Sequence, residues 1–110
     1  MAKNSQVYLQ DMLEALERIE AYSLGVSREQ LLADYMRQDA IIRQMEILGE
    51  AANHLPESFL DQYPEFPARE AAVMRNFLIH DYDTVDIETV WKTLLDDLPT
   101  LKKNILKILG

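Results

Sequence analysis

Ile87-Glu88-Thr89-Val90-Trp91-Lys92-Thr93-Leu94-Leu95-Asp96-Asp97-Leu98-Pro99-Thr100-Leu101-Lys102-Lys103-Asn104-Ile105-Leu106-Lys107-Ile108 is the most regular stretch of the chain. Its apolar residues Ile87, Val90, Trp91, Leu94, Leu98, Leu101, Ile105 and Ile108 return every three or four positions. That spacing puts them on one stripe of an α-helix rather than on alternate sides of a strand. Pro99 falls inside the stripe, removes a backbone donor there, and is expected to kink the helix. Lys102, Lys103 and Lys107 close it with no acid from residue 100 onward, a placement that complements the helix dipole.

The same period runs through the rest of the chain. Leu9, Met12, Leu13, Leu16 and Ile19 form a stripe that ends at Ser23-Leu24-Gly25, where Gly25 can take the left-handed conformation that closes a helix. Ser27-Arg28-Glu29-Gln30 then reads as a capping box. A long second helix is expected from Arg28 to about Asn53, about 39 Å at 1.5 Å per residue, with Leu31, Tyr35, Ile42, Met45, Leu48 and Ala52 inward. Gly49, Ala51 and Ala52 leave room for a close neighbour. Pro56, Pro64 and Pro67 mark a connection with space for one short helical turn. Pro67 can open a further helix carrying Ala71, Ala72, Met74, Phe77 and Leu78. Asp81-Tyr82-Asp83-Thr84 breaks the pattern, and Asp83, Thr84 or Asp86 can cap the last helix. The expected fold is all-α, an antiparallel bundle of four to five helices forming one domain over residues 1–110.

Composition narrows the function classes. The 110 residues are 48% apolar, enough to fill one modest core. No run approaches the roughly 20 apolar residues of a membrane span, and the N-terminus has no apolar signal region. With no Cys, disulfides and thiolate chemistry are absent, and a cytoplasmic location is the simplest expectation. Eleven basic against nineteen acidic residues give a net charge of −8, which argues against broad, non-specific nucleic-acid binding. The stretch from Asp81 to Asp97 is the most acidic, with six acids and one Lys.

Candidate chemistry is concentrated in one place. His54 sits at a helix end, where a donor can meet free carbonyls. Glu46 and Glu50 share a helix face without the Glu-x-x-His units of di-carboxylate metal bundles, so they read as a solvated or salt-bridged pair with Arg43 as an available partner. Arg75-Asn76-Phe77-Leu78-Ile79-His80-Asp81-Tyr82 is different. It holds a permanent cation, an amide, an imidazole and a phenol within eight residues. Arg can grip a phosphate with two donors, and His can move a proton near neutral pH. Together they suit metal-free RNA cleavage in which a 2′-hydroxyl attacks the adjacent phosphate. On a regular helix, positions five apart diverge by about 140°, so the pair needs a helix end between its members or a second chain. The plainer reading makes Arg75 a salt-bridge partner, His80 a capping or buried imidazole, and Tyr82 a ring at the core edge.

Arg75-Asn76, three residues, then His80-Asp81-Tyr82 resembles the RX4HXY signature of HEPN-domain proteins, specifically the HepT-like toxins. Asp39-Ala40-Ile41-Ile42-Arg43 with Gly49-Glu50-Ala51-Ala52 is similar to that family's second-helix segment. Pro64-Glu65-Phe66-Pro67 precedes the motif, and Val85-Asp86 through Val90-Trp91 come after it, as in the family. Ala68 departs from the pattern, because a tryptophan usually follows the second proline.

The resemblance implies the toxin of a two-gene, type VII-like toxin–antitoxin system, a homodimer acting as a metal-independent endoribonuclease without a cofactor. On it, Arg75 would stabilise the scissile phosphate, and His80 would act as general acid or base. Asn76 would orient the site, and Tyr82 would line the cleft. Tyr82 also matches the tyrosine to which family antitoxins, minimal nucleotidyltransferases, transfer AMP. Two other readings remain open. One is a non-catalytic dimeric helical module that binds a nucleotidyltransferase partner or a nucleotide, and the other is a purely structural adaptor.

Overall fold

Asn4 starts the first helix by accepting the Val7 N–H on its side-chain oxygen at 3.1 Å. In the computed structural model, which describes residues 4–67, 70, 72, 73 and 86–110, this helix is α1 (Ser5–Ser23). Leu9, Met12, Leu16 and Ile19 of its expected stripe are buried and Leu13 is partly so. Gly25, at φ +71°, makes the turn after it, a conformation that costs glycine little. Both arms of the capping box are present. The Gln30 N–H donates to Ser27 Oγ at 3.1 Å, and the Ser27 N–H donates to Gln30 Oε1 at 2.8 Å.

The long second helix is in fact two, α2 (Arg28–Ala33) and α3 (Tyr35–Asn53). Asp34 is the reason. Its backbone is extended and its carboxylate accepts the Arg37 N–H at 3.1 Å, so it caps a new helix instead of continuing the old one. At the end of α2 the Asp34 N–H donates to Leu31 O at 3.2 Å, and the buried Nε2 of Gln38 adds bonds to Leu31 O at 2.8 Å and Leu32 O at 3.1 Å. The break also resets the helical phase. Tyr35, expected inside, is 75% exposed, while Ile41 is fully buried. Leu31, Ile42, Met45, Leu48 and Ala52 are buried as expected.

A short α4 (Glu57–Gln62) fills the connection, with Pro56 as its N-cap. Glu70, Ala72 and Val73 are helical, consistent with a helix following Pro67. The remaining residues expected on it, Ala71, Met74, Phe77 and Leu78, lie outside the described residues. Asp86 caps α5 (Ile87–Asp96), its carboxylate accepting the Glu88 N–H at 3.0 Å. The kinked last helix is likewise two, because the chain breaks at Asp97 and resumes as α6 (Leu98–Leu109). Pro99 therefore lies in the first turn of α6, where its missing donor costs little. Val90, Leu98, Leu101 and Ile105 are buried, and Ile87, Trp91, Leu94 and Ile108 pack partly buried against them.

The described residues form six helices and no strand, an all-α bundle. α1 lies antiparallel to α3. Tyr8, early in α1, stacks on His54 at the end of α3, and Arg37, early in α3, donates to Tyr22 O late in α1. α6 covers another side of α1, fixed by Lys102 Nζ to Glu20 Oε1 at 2.8 Å. α2 is tied to α5 by Arg28, whose Nε donates to Glu88 Oε2 at 3.0 Å while its Nη2 meets Oε1. Each fully buried Leu, Ile or Met in this core contributes about 1.5–3 kcal/mol over its exposed state. No described helix is long and apolar enough to cross a membrane.

Candidate functional site

Arg75, Asn76, His80 and Tyr82 lie outside the described residues, as do Asp81, Asp83 and Ala68. What the structure does give is how the chain is held on either side of them. On the approach, Phe66 is buried against Phe59, edge to face, with centroids 5.2 Å apart. Phe59 also packs on Tyr63 at 5.0 Å. The Phe66 N–H donates to Tyr63 O at 3.0 Å, closing the turn that contains Pro64 and Glu65. The Pro64–Pro67 element is thus an anchored turn with an aromatic plug. Ring pairs of this kind add about 0.5–1.5 kcal/mol beyond the area they bury. Val73 packs against the core six residues later. On the far side, the Asp86 cap and the Arg28–Glu88 pair fix the start of α5. The side-chain hydrogen bond and charge of Glu88 raise the Arg28 guanidinium above its already high ordinary pKa, so Arg28 keeps its charge.

A second polar feature, which the sequence did not reveal, runs along the outer side of the α1–α3 pair. It is a groove of about 360 Å³, at the lower end of the size range of small-molecule sites. Ala15 and Ala51 leave its floor shallow, and Ile47 adds an apolar wall. At one end Tyr8 and His54 stack with centroids 5.2 Å apart and planes within 9°, and His54 Nε2 is 3.9 Å from Glu50 Oε1. The ring of His54 therefore serves a stack, while its backbone N–H closes α3 on Glu50 O and Ala51 O. The antiparallel register set by that stack carries Arg18 of α1 to the level of Arg43 on α3, and both line the other end. Arg18 holds Glu14 at 2.8 Å. Arg43 is exposed and has no hydrogen-bond or ion-pair partner among the described residues.

Two further side chains depart from the sequence expectation. The bridge available to Glu46 from Arg43 is not made, and Glu46 is half-buried rather than solvated, with an Oε1 shut off from water and without a partner. Gln44, which lines the groove and is only 8% exposed, also has an unpartnered, buried Oε1. Buried polar atoms are normally paired, so each such atom asks for an explanation. Their signal was hidden because α3 is amphipathic around Met45 and Leu48. A Gln one position from that stripe reads as surface until its neighbour in space is known. Among the described residues, no group of three or more His, Asp or Glu side chains is placed to hold a metal ion.

A helical bundle with an aromatic-anchored turn before an Arg-x4-His-x-Tyr sequence defines the class. Comparison with known proteins gives the family. The family model described as "Ribonuclease HepT-like" matches residues 12–108. A protein named "Probable ribonuclease HepT" from Thermococcus cleftensis is 42% identical over 108 residues, covering 98% of both chains. A "Putative RNase TTE0752" from Caldanaerobacter subterraneus is 35% identical over 97% of this chain and 96% of its own. The Methanocaldococcus jannaschii protein "Gamma-glutamylcyclotransferase and putative RNase MJ0434" is 39% identical over 99% of this chain but only 49% of its own length. No solved structure matches. The chain belongs to the HepT-like ribonuclease family.

Proposed function

We propose that this protein is the toxin of a two-gene toxin–antitoxin system and cleaves RNA without a metal ion. The reading is carried by one observation: the family match over residues 12–108 spans the only Arg-x4-His-x-Tyr sequence in the chain. Arg75 binds the phosphate at the cleavage point with its forked donors. His80 removes the proton of the attacking 2′-hydroxyl or delivers one to the departing oxygen. Asn76 orients these groups and Tyr82 lines the cleft. Asp81 and Asp83, one and three positions along the sequence, would favour the charged imidazole if their carboxylates lie close to it. A homodimer supplies a second copy of the motif, which, like a helix end between Arg75 and His80, would complete a pair that diverges by about 140° on an unbroken helix.

The relevant partner is a minimal nucleotidyltransferase that transfers AMP to the Tyr82 hydroxyl. The added phosphate would bring negative charge and bulk to a cleft built for another phosphate. Support for this part is the match of Tyr82 to the motif's last position. Two measurements test the reading. Arg75→Ala should abolish RNA cleavage while leaving the oligomeric state unchanged, and unchanged cleavage would remove the mechanism. The intact mass of protein made together with its neighbouring gene should rise in AMP-sized steps that vanish in Tyr82→Phe. An active nuclease whose mass never changes would remove the antitoxin but keep the ribonuclease. The non-catalytic module remains the second reading because the net charge of −8 repels RNA. A wild-type chain that binds the transferase but leaves RNA intact would establish it.

A further inference from the structure

The described residues lining the groove come from α1, α3 and the α3 cap His54, and their chemistry calls for a ligand of its own. We propose that the groove binds a ribonucleotide unit, either free or as part of an RNA strand. The phosphate sits between Arg18 and Arg43, a ribose hydroxyl meets the Gln44 amide, and the base covers Ala15 and Ala51 toward Glu50.

Three observations meet here. The first is Arg43, an exposed guanidinium with no partner among the described residues, placed at the level of Arg18 on the facing helix. Two like charges at one level of a groove favour an anion between them, and guanidinium forks match phosphate oxygens. The second is Gln44, more than nine-tenths buried, with an oxygen that has neither water nor donor. Gln44 lines the groove, and a ligand hydroxyl that reaches that oxygen supplies the donor it lacks. The third is the floor. Ala15, Ala51 and Ile47 form an apolar surface between the arginine end and the Glu50 end. Arg43 and Glu50 are seven residues apart, about 10 Å along the helix, which is close to the span of a nucleotide from phosphate to base edge. The Glu50 carboxylate, with only the 3.9 Å approach of His54 beside it, is free to accept from exocyclic base N–H groups.

Charge sets the strength of the site. Glu14 already occupies Arg18, but both side chains are more than half exposed, so that bridge is weak and can be shared. With Asp11, Glu14 and Glu50 around it, the groove binds modestly and loses affinity as salt rises.

The test titrates the full chain with AMP, 2′-deoxy-AMP and a tetra-adenylate RNA, read by calorimetry or by amide shifts. AMP should bind saturably and perturb α1 and α3, with roughly fivefold preference over the deoxy form. Arg43→Gln, an exposed substitution, should weaken binding roughly tenfold or more. Gln44→Leu should fold at least as stably, because it removes an orphan acceptor, yet lose the preference for the ribose. Tetra-adenylate binding at least tenfold tighter than AMP supports the site with an RNA strand as its occupant, and equal affinities support it with the free nucleotide. No saturable binding of either ligand up to about 1 mM, or equal binding by wild type and Arg43→Gln, overturns the proposal. A ribose preference that persists in Gln44→Leu overturns the role given to that amide. Run on His80→Ala protein so that the RNA stays intact, and scored only by the binding that Arg43→Gln removes, these outcomes separate the groove from the proposed Arg75–His80 cleft.

Discussion

The α2–α3 and α5–α6 junctions both turn on an aspartate, yet only Asp34 caps the helix that follows it with its side chain. At Asp34 the carboxylate caps α3, Arg37 Nε adds a 3.2 Å contact to it, and Gln38 reaches back to close α2. At Asp97 no side-chain cap hydrogen bond forms. Its N–H still donates to Thr93 O and its carbonyl accepts from Leu101, so the chain stays near-helical through the break. Pro99 then begins α6 with a fixed φ and no donor to satisfy. The first junction therefore depends on the side chains of Asp34 and Gln38, whereas at the second the backbone stays near-helical and Leu98 is buried.

Four substitutions separate the two cases. Leu31→Ala, at a fully buried position beside the first junction, should lower stability by about 2–5 kcal/mol, read as a fall in the urea midpoint. Gln38→Ala should come next at about 1–3 kcal/mol, because it strands the Leu32 carbonyl and leaves Leu31 O with only the Asp34 N–H. A loss as small as that of an ordinary surface change would show that water replaces the amide.

Asp34→Ala should have a smaller effect, the loss of a helix cap, and it carries a pH signature. The Arg37 backbone N–H, followed by the guanidinium of Arg37, holds the Asp34 carboxyl below its ordinary value. A depressed carboxyl stabilises the fold fully above the unfolded-state value near pH 4. That contribution disappears as pH falls through the lower folded-state value. Melting curves of wild type should therefore show an acid-dependent loss that Asp34→Asn reduces. Pro99→Ala should have the smallest effect, within about 1 kcal/mol of wild type. A large loss there would mean that the proline, and not Leu98, sets the second junction.

The helical class, the stripes and the capping box were legible because each depends on residues within four positions of one another, and the cap of α5 was narrowed to three candidates, of which the structure takes Asp86. Both missed breaks were local too, but in each a competing signal was stronger. The apolar period runs through Asp34 and through Asp97 without a gap, and only the closure by Gln38 or the position of Pro99 within a first turn decides against continuity. Tyr35 was misplaced for the same reason, since its inward position depended on one unbroken helix. The motif was legible as an order of residue types. The α1–α3 groove was not, because Arg18, Arg43 and Gln44 acquire meaning only when the antiparallel register brings Tyr8 to His54. An unmade Arg43–Glu46 bridge is the trace such a register leaves, and spacing along one helix cannot report it.

Cleavage of a single-stranded RNA by the purified full chain in excess EDTA, with wild type beside His80→Ala, tests the ribonuclease most directly. The wild type should cut without added metal, and His80→Ala should fall by roughly 10²-fold or more while keeping its helical content and melting temperature. RNA left intact by the wild type, or cut equally by His80→Ala, would contradict a metal-independent ribonuclease built on that motif.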